Sequence, residues 1–426
     1  MRALLLLCAA ACFAQQPADP GRVLARAQAQ LAAAAADVPK YTCRQTVDRS
    51  YFRETRQIPR ACDTIVANQR NGRSKLALAV TDRLRFDVEV ADGGYEIYAW
   101  PGAARIETEK VEDMAGGGPL GTGPFGPFLV DIFANPAVQF QYLDKQSALF
   151  EYRYRVPLGA SHYRVQAGPI WRTTAYDGTF RLDPESAELK QLTVRTAELP
   201  ADTATCEATT VMDFEKSRIG AGEYLIPRQT RLQTIGRDAS YTENATVYAE
   251  CREFRGESVV HFDQAIPQAD TGPKLSVSLP TTDLPPGMPI ILALDTEIDT
   301  DHAAAGDAIS AKVGKPVVDP ATKRVLVQAG SIVHGRITHM EHHIEGEGYF
   351  LVGVSFDMLE PSIPLAIMLD RAHQIQDPRA SSGRRVVTTE SRSGFHGGGT
   401  FVFPTRLSRY VVPRGYSSNW ITIPGG

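Results

Sequence analysis

Four of the nine histidines lie within ten positions of the sequence, from His334 to His343, with Glu341 among them. Alternate residues of a β-strand share one face, so His339, Glu341 and His343 would point in the same direction on a strand. Imidazole and carboxylate groups in such an arrangement are zinc ligands. One reading of the segment is therefore a hydrolase or metalloenzyme that uses the region from His339 to Glu345.

The surrounding sequence favours the tip of a β-hairpin over a metal site. Val333 and Ile337 have the same parity as the three polar residues, so the polar group would lie just beyond the edge of the core. The return strand, residues 350–358, is apolar at period two, and two glycines lie between the strands. We therefore expect HHIEGEG to be the connecting loop and His339 and His343 to be largely exposed, with no metal, no cofactor and no catalytic role.

Other candidate motifs lack the surroundings that their chemistry requires. GTGPFG at 121–126 has the G-x-G-x-x-G letters, but its neighbours read as antiparallel strands and not as a parallel βαβ unit. Ser331 lies in AGSIVHG, which is not a G-x-S-x-G nucleophile elbow. Asp299 and Asp301 share a predicted turn, and the remaining histidines are isolated. We predict no catalytic residue from these motifs.

The first residues read as a secretory signal peptide, residues 1–14. Arg2 precedes a short apolar run, and small residues occupy the −3 and −1 positions of a cut before Gln15. Lipidation at Cys12 is the alternative, although Ala-Ala-Ala-Cys lacks the usual aliphatic residue three positions earlier. No later segment approaches the 20 or so apolar residues that a membrane-spanning helix needs. We expect an exported protein of the periplasm or cell surface, without a transmembrane segment in the mature chain.

Four cysteines remain after the leader: Cys43, Cys62, Cys206 and Cys251. An even number in an exported protein predicts disulfides, because the compartment is oxidising. Proximity in the chain favours Cys43–Cys62 and Cys206–Cys251 among the three connectivities that four cysteines allow. No C-x-x-C spacing supports metal binding.

Composition is that of an ordinary globular protein, with 43% hydrophobic and 22% charged residues in a chain of 426. This length suggests two or three domains. The net charge is −4, and loss of Arg2, the single charge in the leader, makes it −5. An acidic balance argues against a nucleic-acid binder.

A helix is predicted within residues 15–40. Asp19 precedes Pro20 in the order typical of an N-cap and the first helical residue. Val23, Ala27 and Leu31 are four apart, which gives the helix one apolar face.

Alternation at period two then predicts a mostly antiparallel sheet domain over residues 41–263. It includes a hairpin with its turn at 183–186 and one helical stretch near 128–133. Residues 264–286 read as a linker, and 287–426 as a second strand-rich domain with a mobile loop near 374–400. That loop carries four arginines that could attract an anionic partner, although a solvated loop is favoured. The fold class is thus mainly β (α+β).

The second domain resembles the β-barrel module of TrbI-like scaffold proteins of conjugation and type IV secretion systems. The resemblance covers 284–338 and rests on these features: Leu284-x-x-Gly287, Leu294-x-Thr296, Ala305-Gly306-Asp307, Ala311-x-Val313 and Ala329-Gly330-Ser331 before Gly335. It implies a small β-barrel that contacts another envelope protein.

The first domain faintly resembles periplasmic half-barrels such as LolA and RseB. The features are the strand run of 41–262 and the phrase Tyr176-Asp177-Gly178, Leu182-Asp183-Pro184, Leu189-Lys190 and Leu192. The resemblance implies a curled antiparallel sheet around a groove for a lipid or a lipoprotein. We therefore expect an exported, non-enzymatic envelope protein that binds an apolar ligand or lipoprotein, makes protein contacts, or does both. A purely structural surface protein is a further alternative.

Overall fold

A computed structural model describes residues 18–36, 40–55, 61–91, 95–102, 111–116, 118–121, 126–146, 148–167, 170–196, 199–253, 284–361, 363–370 and 398–424. The predicted signal peptide lies outside the described residues. So do residues 264–283 of the linker, residues 374–397 of the arginine-containing loop, and the centre of GTGPFG.

The chain is mainly β, as predicted: strands take 56% of it and helices 11%. The helices are α1 Pro20–Ala36, α2 Cys62–Arg70, α3 Val111–Met114 and α4 Pro127–Phe133, with a 3-10 turn at Leu158–Ala160. The strands of the N-terminal part are β1 Tyr41–Glu54, β2 Leu76–Ala91, β3 Tyr95–Ala99, β4 Gln139–Gln146, β5 Leu149–Val156, β6 Arg164–Ala167, β7 Ile170–Thr173, β8 Tyr176–Leu182, β9 Leu189–Thr196, β10 Thr205–Ile219, β11 Gly222–Gly236 and β12 Tyr241–Glu253. Those of the C-terminal part are β13 Pro289–Leu294, β14 Ile298–Asp299, β15 Ala308–Val313, β16 Val317–Val318, β17 Val325–Val327, β18 Ile332–His343, β19 Tyr349–Leu359, β20 Ile363–Pro364, β21 Ile367–Leu369, β22 Gly399–Pro404, β23 Val411–Val412 and β24 Ser417–Thr422.

One large antiparallel sheet runs through both parts of the chain. In the N-terminal part its neighbours are β4, β5, β8, β9, β10, β11, β12, β1 and β2 in that order. The outer side of β2 pairs with β3 and then with β18, which belongs to the C-terminal part. From β18 the sheet continues through β15, β13, β24 and β21 on one side and through β19 and β22 on the other. A closed barrel is not confirmed, and the division into two domains remains a prediction.

Helix α1 forms as its sequence predicts. The backbone N–H of Gly21 donates to the Asp19 carboxylate, and the apolar residues spaced four apart are all buried. They pack with α4 against an aromatic core on β5 and β8 that includes Tyr152, Tyr176 and Phe180. The described side chains of this core are closely packed, with Tyr152 stacked on Phe180 at 5.1 Å between ring centroids.

The C-terminal part has its own hydrophobic core. All its buried members lie between Met288 and Trp420, and most of them come from β13, β15, β18, β19, β21, β22 and β24. A third core lies under β1 and β2 and includes Phe86, Trp100 and Met114. Among the helices in the described ranges, none combines the length and the apolarity needed to cross a bilayer.

Two features of the secondary structure are not evident from the sequence. The sequence suggests separate strands at 75–80 and 83–90, but β2 is a single strand across both. Asp82 lies within β2, opposite Arg49 of β1 and Glu341 of β18. Helix α2 was not predicted, because its nine residues CDTIVANQR bury only Ile65 and carry little amphipathic signal.

All four remaining cysteines form disulfides, but the predicted pairing is wrong. The bonds are Cys43–Cys251 and Cys62–Cys206, which close separations of 208 and 144 residues. Cys43 pairs far along the chain because β1 lies antiparallel to β12, so the first and last long strands of the N-terminal part are neighbours.

The second disulfide has a similar topological cause. Cys62 opens α2, which packs against β10, and Cys206 is the second residue of that strand. Both bonds thus join segments that only the tertiary fold brings together. Two disulfides are compatible with export to an oxidising compartment.

Candidate functional site

The histidine cluster lies on a strand and not at a hairpin tip. The hairpin itself forms, because β18 and β19 pair antiparallel, but β18 continues to His343 and the connecting loop is only Ile344–Gly348. The end of β18 is held by β2, where Glu341 lies opposite Asp82 and His343 opposite Val80. The predicted exposed loop is therefore wrong for these side chains, because pairing with a distant strand extends β18.

A β-bulge turns the polar residues away from the C-terminal core. Ile337 lies opposite Val354 but His339 lies opposite the next residue, Gly353, so Thr338 is the extra residue on β18. An extra residue reverses the side-chain parity of the strand beyond it. Ile337 is buried before the bulge and Met340 after it. The core residues before the bulge and the three polar residues after it therefore lie on opposite faces of β18.

Beyond the bulge, His339, Glu341 and His343 line one cavity, which we call the junction cavity. His343 Nε2 donates to Glu341 Oε2 at 2.8 Å, and the imidazole stacks on Tyr349 with 4.4 Å between centroids. His339 Nδ1 lies 3.1 Å from the hydroxyl of Thr338. His339, Glu341 and His343 are each half-buried.

The same wall of the junction cavity contains a buried ion pair from the N-terminal part, because Arg49 lies opposite Asp82 and Asp82 opposite Glu341 on adjacent strands. Arg49 is only 3% exposed and donates from Nε and Nη2 to the two Asp82 oxygens, at 2.7 and 2.6 Å. Arg49 Nη2 also donates to the carbonyl of Ala115 at 2.8 Å, which ties the segment after α3 to the sheet. The Tyr51 hydroxyl donates to Asp82 Oδ2 at 3.4 Å.

The junction cavity has a volume of about 340 Å3. It is lined by polar and apolar side chains in similar measure: Arg49, Tyr51, Phe52, Arg53, Ala79, Val80, Asp82, Leu84, Met114, Ala115, Gly116, Gly118, Ser240, Thr242, Thr338, His339, Met340, Glu341 and His343. These residues come from β1, β2, β12 and the residue before it, β18, and the end of α3 with the segment that follows it. The cavity thus exists only because β2 and β18 join the two parts of the chain.

Glycine is required where the chain covers the junction cavity. Gly118 has φ +79°, and a Cβ there would collide with the Tyr51 hydroxyl. Glycine adopts this backbone conformation without the steric penalty of other residues. The close approach lets the backbone after α3 pack against the side chain of Tyr51.

Burial sets the protonation of the polar wall. Desolvation lowers the pKa of His339, with Glu341 and Asp82 opposing the shift only in part, so its imidazole is neutral near pH 7. Burial alone would raise the pKa of Glu341, but the hydrogen bond from His343 and the nearby positive charge of Arg49 lower it overall. Glu341 is therefore a carboxylate near neutral pH. Desolvation also raises the pKa of Tyr51, so the phenol keeps its proton.

Most charged side chains of the junction cavity form hydrogen bonds with one another. Both oxygens of Asp82 accept from Arg49, and Glu341 accepts from His343. Within the described ranges, no group of three or more histidine, cysteine or acidic side chains could hold a metal ion. The absence of a metal and of a cofactor remains a prediction.

The other sequence candidates do not line the junction cavity. Asp299 accepts two hydrogen bonds from Arg409, at 2.9 and 2.7 Å, and these lower the pKa of Asp299 to about 2. Asp299 is thus a fixed partner of an arginine and not half of an acid–base pair with Asp301. Ser331 comes directly before β18 in a turn closed by its N–H bond to Gln328. Gly126 caps α4, where its carbonyl accepts from Leu129.

Sequence reasoning missed Arg49, Tyr51 and Asp82. A usable signal was present, because Arg49 continues the period-two series of Tyr41, Cys43 and Val47 on the buried face of β1. A charged residue in register with an apolar face indicates either a buried ion pair or a polar cavity. Its partner could not be named, because it depends on the register between β1 and β2.

Comparisons of the chain with protein-family models, with curated proteins and with solved structures give no match. The resemblances to TrbI-like scaffold proteins and to LolA-like half-barrels accordingly remain predictions. What the junction cavity can do rests on its own geometry and charges.

Proposed function

We propose that this chain is an exported, non-enzymatic binding protein that holds a small ligand in the junction cavity. The observation that carries the proposal is a space of about 340 Å3 in which charged and apolar side chains from both parts of the chain meet. Ligand sites are typically concave, partly apolar and furnished with a few fixed polar groups, and this volume lies at the small end of their range.

The hydrogen bonds of the polar wall support binding in preference to catalysis. A general base must be within reach of a substrate proton, and a nucleophile needs an adjacent base. Asp82 instead gives both oxygens to Arg49, which also holds the Ala115 carbonyl. The ion pair fixes the shape of the wall and does not act as a base. A ligand would therefore be selected by its shape and its charge.

The junction cavity also has apolar side chains that could contact an apolar part of the ligand. Leu84 and Met114 line the junction cavity beside the polar wall. The face of the sheet between α1, α4 and β8, in contrast, is filled by packed aromatic side chains. A compact ligand with a short apolar body therefore suits the described residues better than a long acyl chain along the sheet.

Export and protein contact complete the proposal. The signal-peptide pattern of residues 1–14 and the two disulfides support delivery to the periplasm or cell surface. The resemblance of 284–338 to TrbI-like modules supports a role for the C-terminal part in contacts with another envelope protein.

The test is a thermal-shift screen of the purified mature protein against small polar and amphipathic molecules, followed by titration calorimetry of the compounds that raise the melting temperature. A ligand at 100 times its Kd stabilises the fold by about 2.7 kcal/mol. Ser240→Trp should block binding, because Ser240 lines the junction cavity and indole would fill it.

Gln328→Trp is the matched control, because Gln328 is exposed in a turn and does not line the junction cavity. We expect it to bind as the wild type does. Binding that survives Ser240→Trp in a folded variant would contradict the proposal, as would a screen without any stabilising compound.

A further inference from the structure

The wall of the junction cavity holds two carboxylates and one arginine in a single row across the strands. The ladder sets Arg49 of β1 opposite Asp82 of β2, and Asp82 opposite Glu341 of β18. Side chains directly opposite each other on antiparallel strands have Cβ atoms about 4.5–5.5 Å apart, and like charges there destabilise the pair. The Asp82–Glu341 position therefore needs a positive charge close by.

Arg49 does not provide that charge to both carboxylates equally. Its Nε and Nη2 bind the two oxygens of Asp82, and Nη2 also binds Ala115. Glu341 is held instead by the imidazole of His343, through one bond of 2.8 Å. Arg53, which also lines the junction cavity, is 65% exposed and reaches Glu345 in the hairpin loop. The buried wall thus has an excess of negative charge.

We infer that the ligand of the junction cavity is an organic cation, a primary ammonium or guanidinium group on a short apolar body, whose charge lies against the Glu341 carboxylate. The inference rests on the proposed function and names the chemical class that it leaves open. An ammonium or guanidinium group only donates hydrogen bonds, which suits a carboxylate, since a carboxylate only accepts them. The side chains of Leu84 and Met114 would cover the apolar body.

Aromatic side chains beside the carboxylate strengthen the case for a cation. Tyr51 and Phe52 line the same space, and the guanidinium of Arg49 already lies 5.7 Å from the centroid of the Tyr51 ring. The faces of such rings attract positive charge. An anionic ligand would be repelled by Glu341 and Asp82, and no lysine is present among the described lining residues to attract it.

The experiment compares three probes that share a phenyl ring and differ in their head group. These are 2-phenylethylamine, 2-phenylethanol and 3-phenylpropionate, titrated by calorimetry into the full mature protein at pH 7.5, with zinc chloride as a fourth titrant. We expect 2-phenylethylamine to bind at least tenfold more tightly than either other probe. Glu341→Gln should remove this preference and leave the amine and the alcohol with equal affinity, because the substitution removes the charge and keeps the shape.

Glu360→Gln is the matched control. Glu360 accepts a hydrogen bond of 2.8 Å from His334 of β18, as Glu341 does from His343 of β18. Glu360 lies outside the junction cavity. The variant should keep the tenfold preference. Retained binding of the neutral alcohol by Glu341→Gln shows that the variant is folded and that its cavity is intact.

Equal binding of the three probes by the wild type, with Ser240→Trp blocking all of them, would overturn the cation inference and leave the proposed function standing. Tighter binding of the propionate would do the same. Zinc binding that excludes the amine would overturn the inference in favour of a metal site. Binding of none of the probes, together with an empty ligand screen, would overturn both proposals.

Discussion

At the scale of single residues, Arg49 contributes both to the stability of the fold and to the wall of the junction cavity. Its guanidinium is buried, pairs with Asp82 through two bonds, and holds the Ala115 carbonyl of the covering segment. Breaking a buried pair is costly because it leaves the other charge desolvated without a partner. Arg49 therefore differs in kind from the many surface arginines of this chain.

Arg49→Ala should lower the free energy of unfolding by about 3–5 kcal/mol, because Asp82 would remain buried and unpaired. The measurement is urea denaturation of the purified protein. Arg172→Ala is the control: its partner Asp202 is half exposed, as Arg172 is, and exposed pairs contribute at most about 1 kcal/mol. Equal losses in the two variants would show that the Arg49–Asp82 pair is not the buried contact described above.

At the scale of elements, the bulge at Thr338 decides what β18 presents to each side. Before it, Val333 and Ile337 enter the C-terminal core, and after it Met340 does so while Glu341 faces the junction cavity. A strand without the bulge would turn Met340 out of the core and drive a carboxylate toward it. The single extra residue thus reconciles a continuous core with a polar cavity.

Met340→Ala should lower the free energy of unfolding by about 2–5 kcal/mol, the usual loss for a buried methionine, because the bulge turns this side chain into the C-terminal core. Thr338→Ala, which keeps the bulge and removes only the side-chain bond to His339, should cost about 0.5–1.5 kcal/mol. Urea denaturation of the two variants measures both losses. Equal losses would contradict the position of Met340 in the core beyond the bulge.

At the scale of the whole molecule, two kinds of long-range link hold the chain together. The disulfides close loops of 208 and 144 residues within the N-terminal part, and the β2–β18 ladder joins that part to the C-terminal one. Cross-linking distant residues stabilises a fold mainly by restricting the unfolded chain, and the effect increases with loop length.

Peptide mapping without reduction should find Cys43 linked to Cys251 and Cys62 linked to Cys206. Replacing either pair with serine should lower the free energy of unfolding by about 2–5 kcal/mol, the usual loss for a native disulfide. Reduction of the wild type serves as the reference for losing both bonds. Recovery of Cys43–Cys62 peptides from the exported protein would contradict the β1–β12 pairing on which the connectivity depends.

The sequence by itself determined the features that depend on local order. Helix α1 and its apolar face, the hairpin turn at 183–186, the short helix at 127–133, the mainly β class and the presence of disulfides all follow from spacing, turn chemistry and composition. The helices and the turn depend on interactions among residues that are close in the chain, whereas the presence of disulfides follows from the even number of cysteines. The apolar–polar alternation of strands is also local, since it reflects burial of one face.

Only the tertiary structure decided the disulfide pairing and the candidate site. Cys43 and Cys251 meet because β1 and β12 are neighbours, and Arg49, Asp82 and Glu341 meet because β1, β2 and β18 are neighbours in one register. Alternation along a strand fixes which face a residue occupies but not which strand lies beside it. The bulge at Thr338 then changes even the face, because the partner strand β19 and the packing of Met340 determine where the extra residue is accommodated.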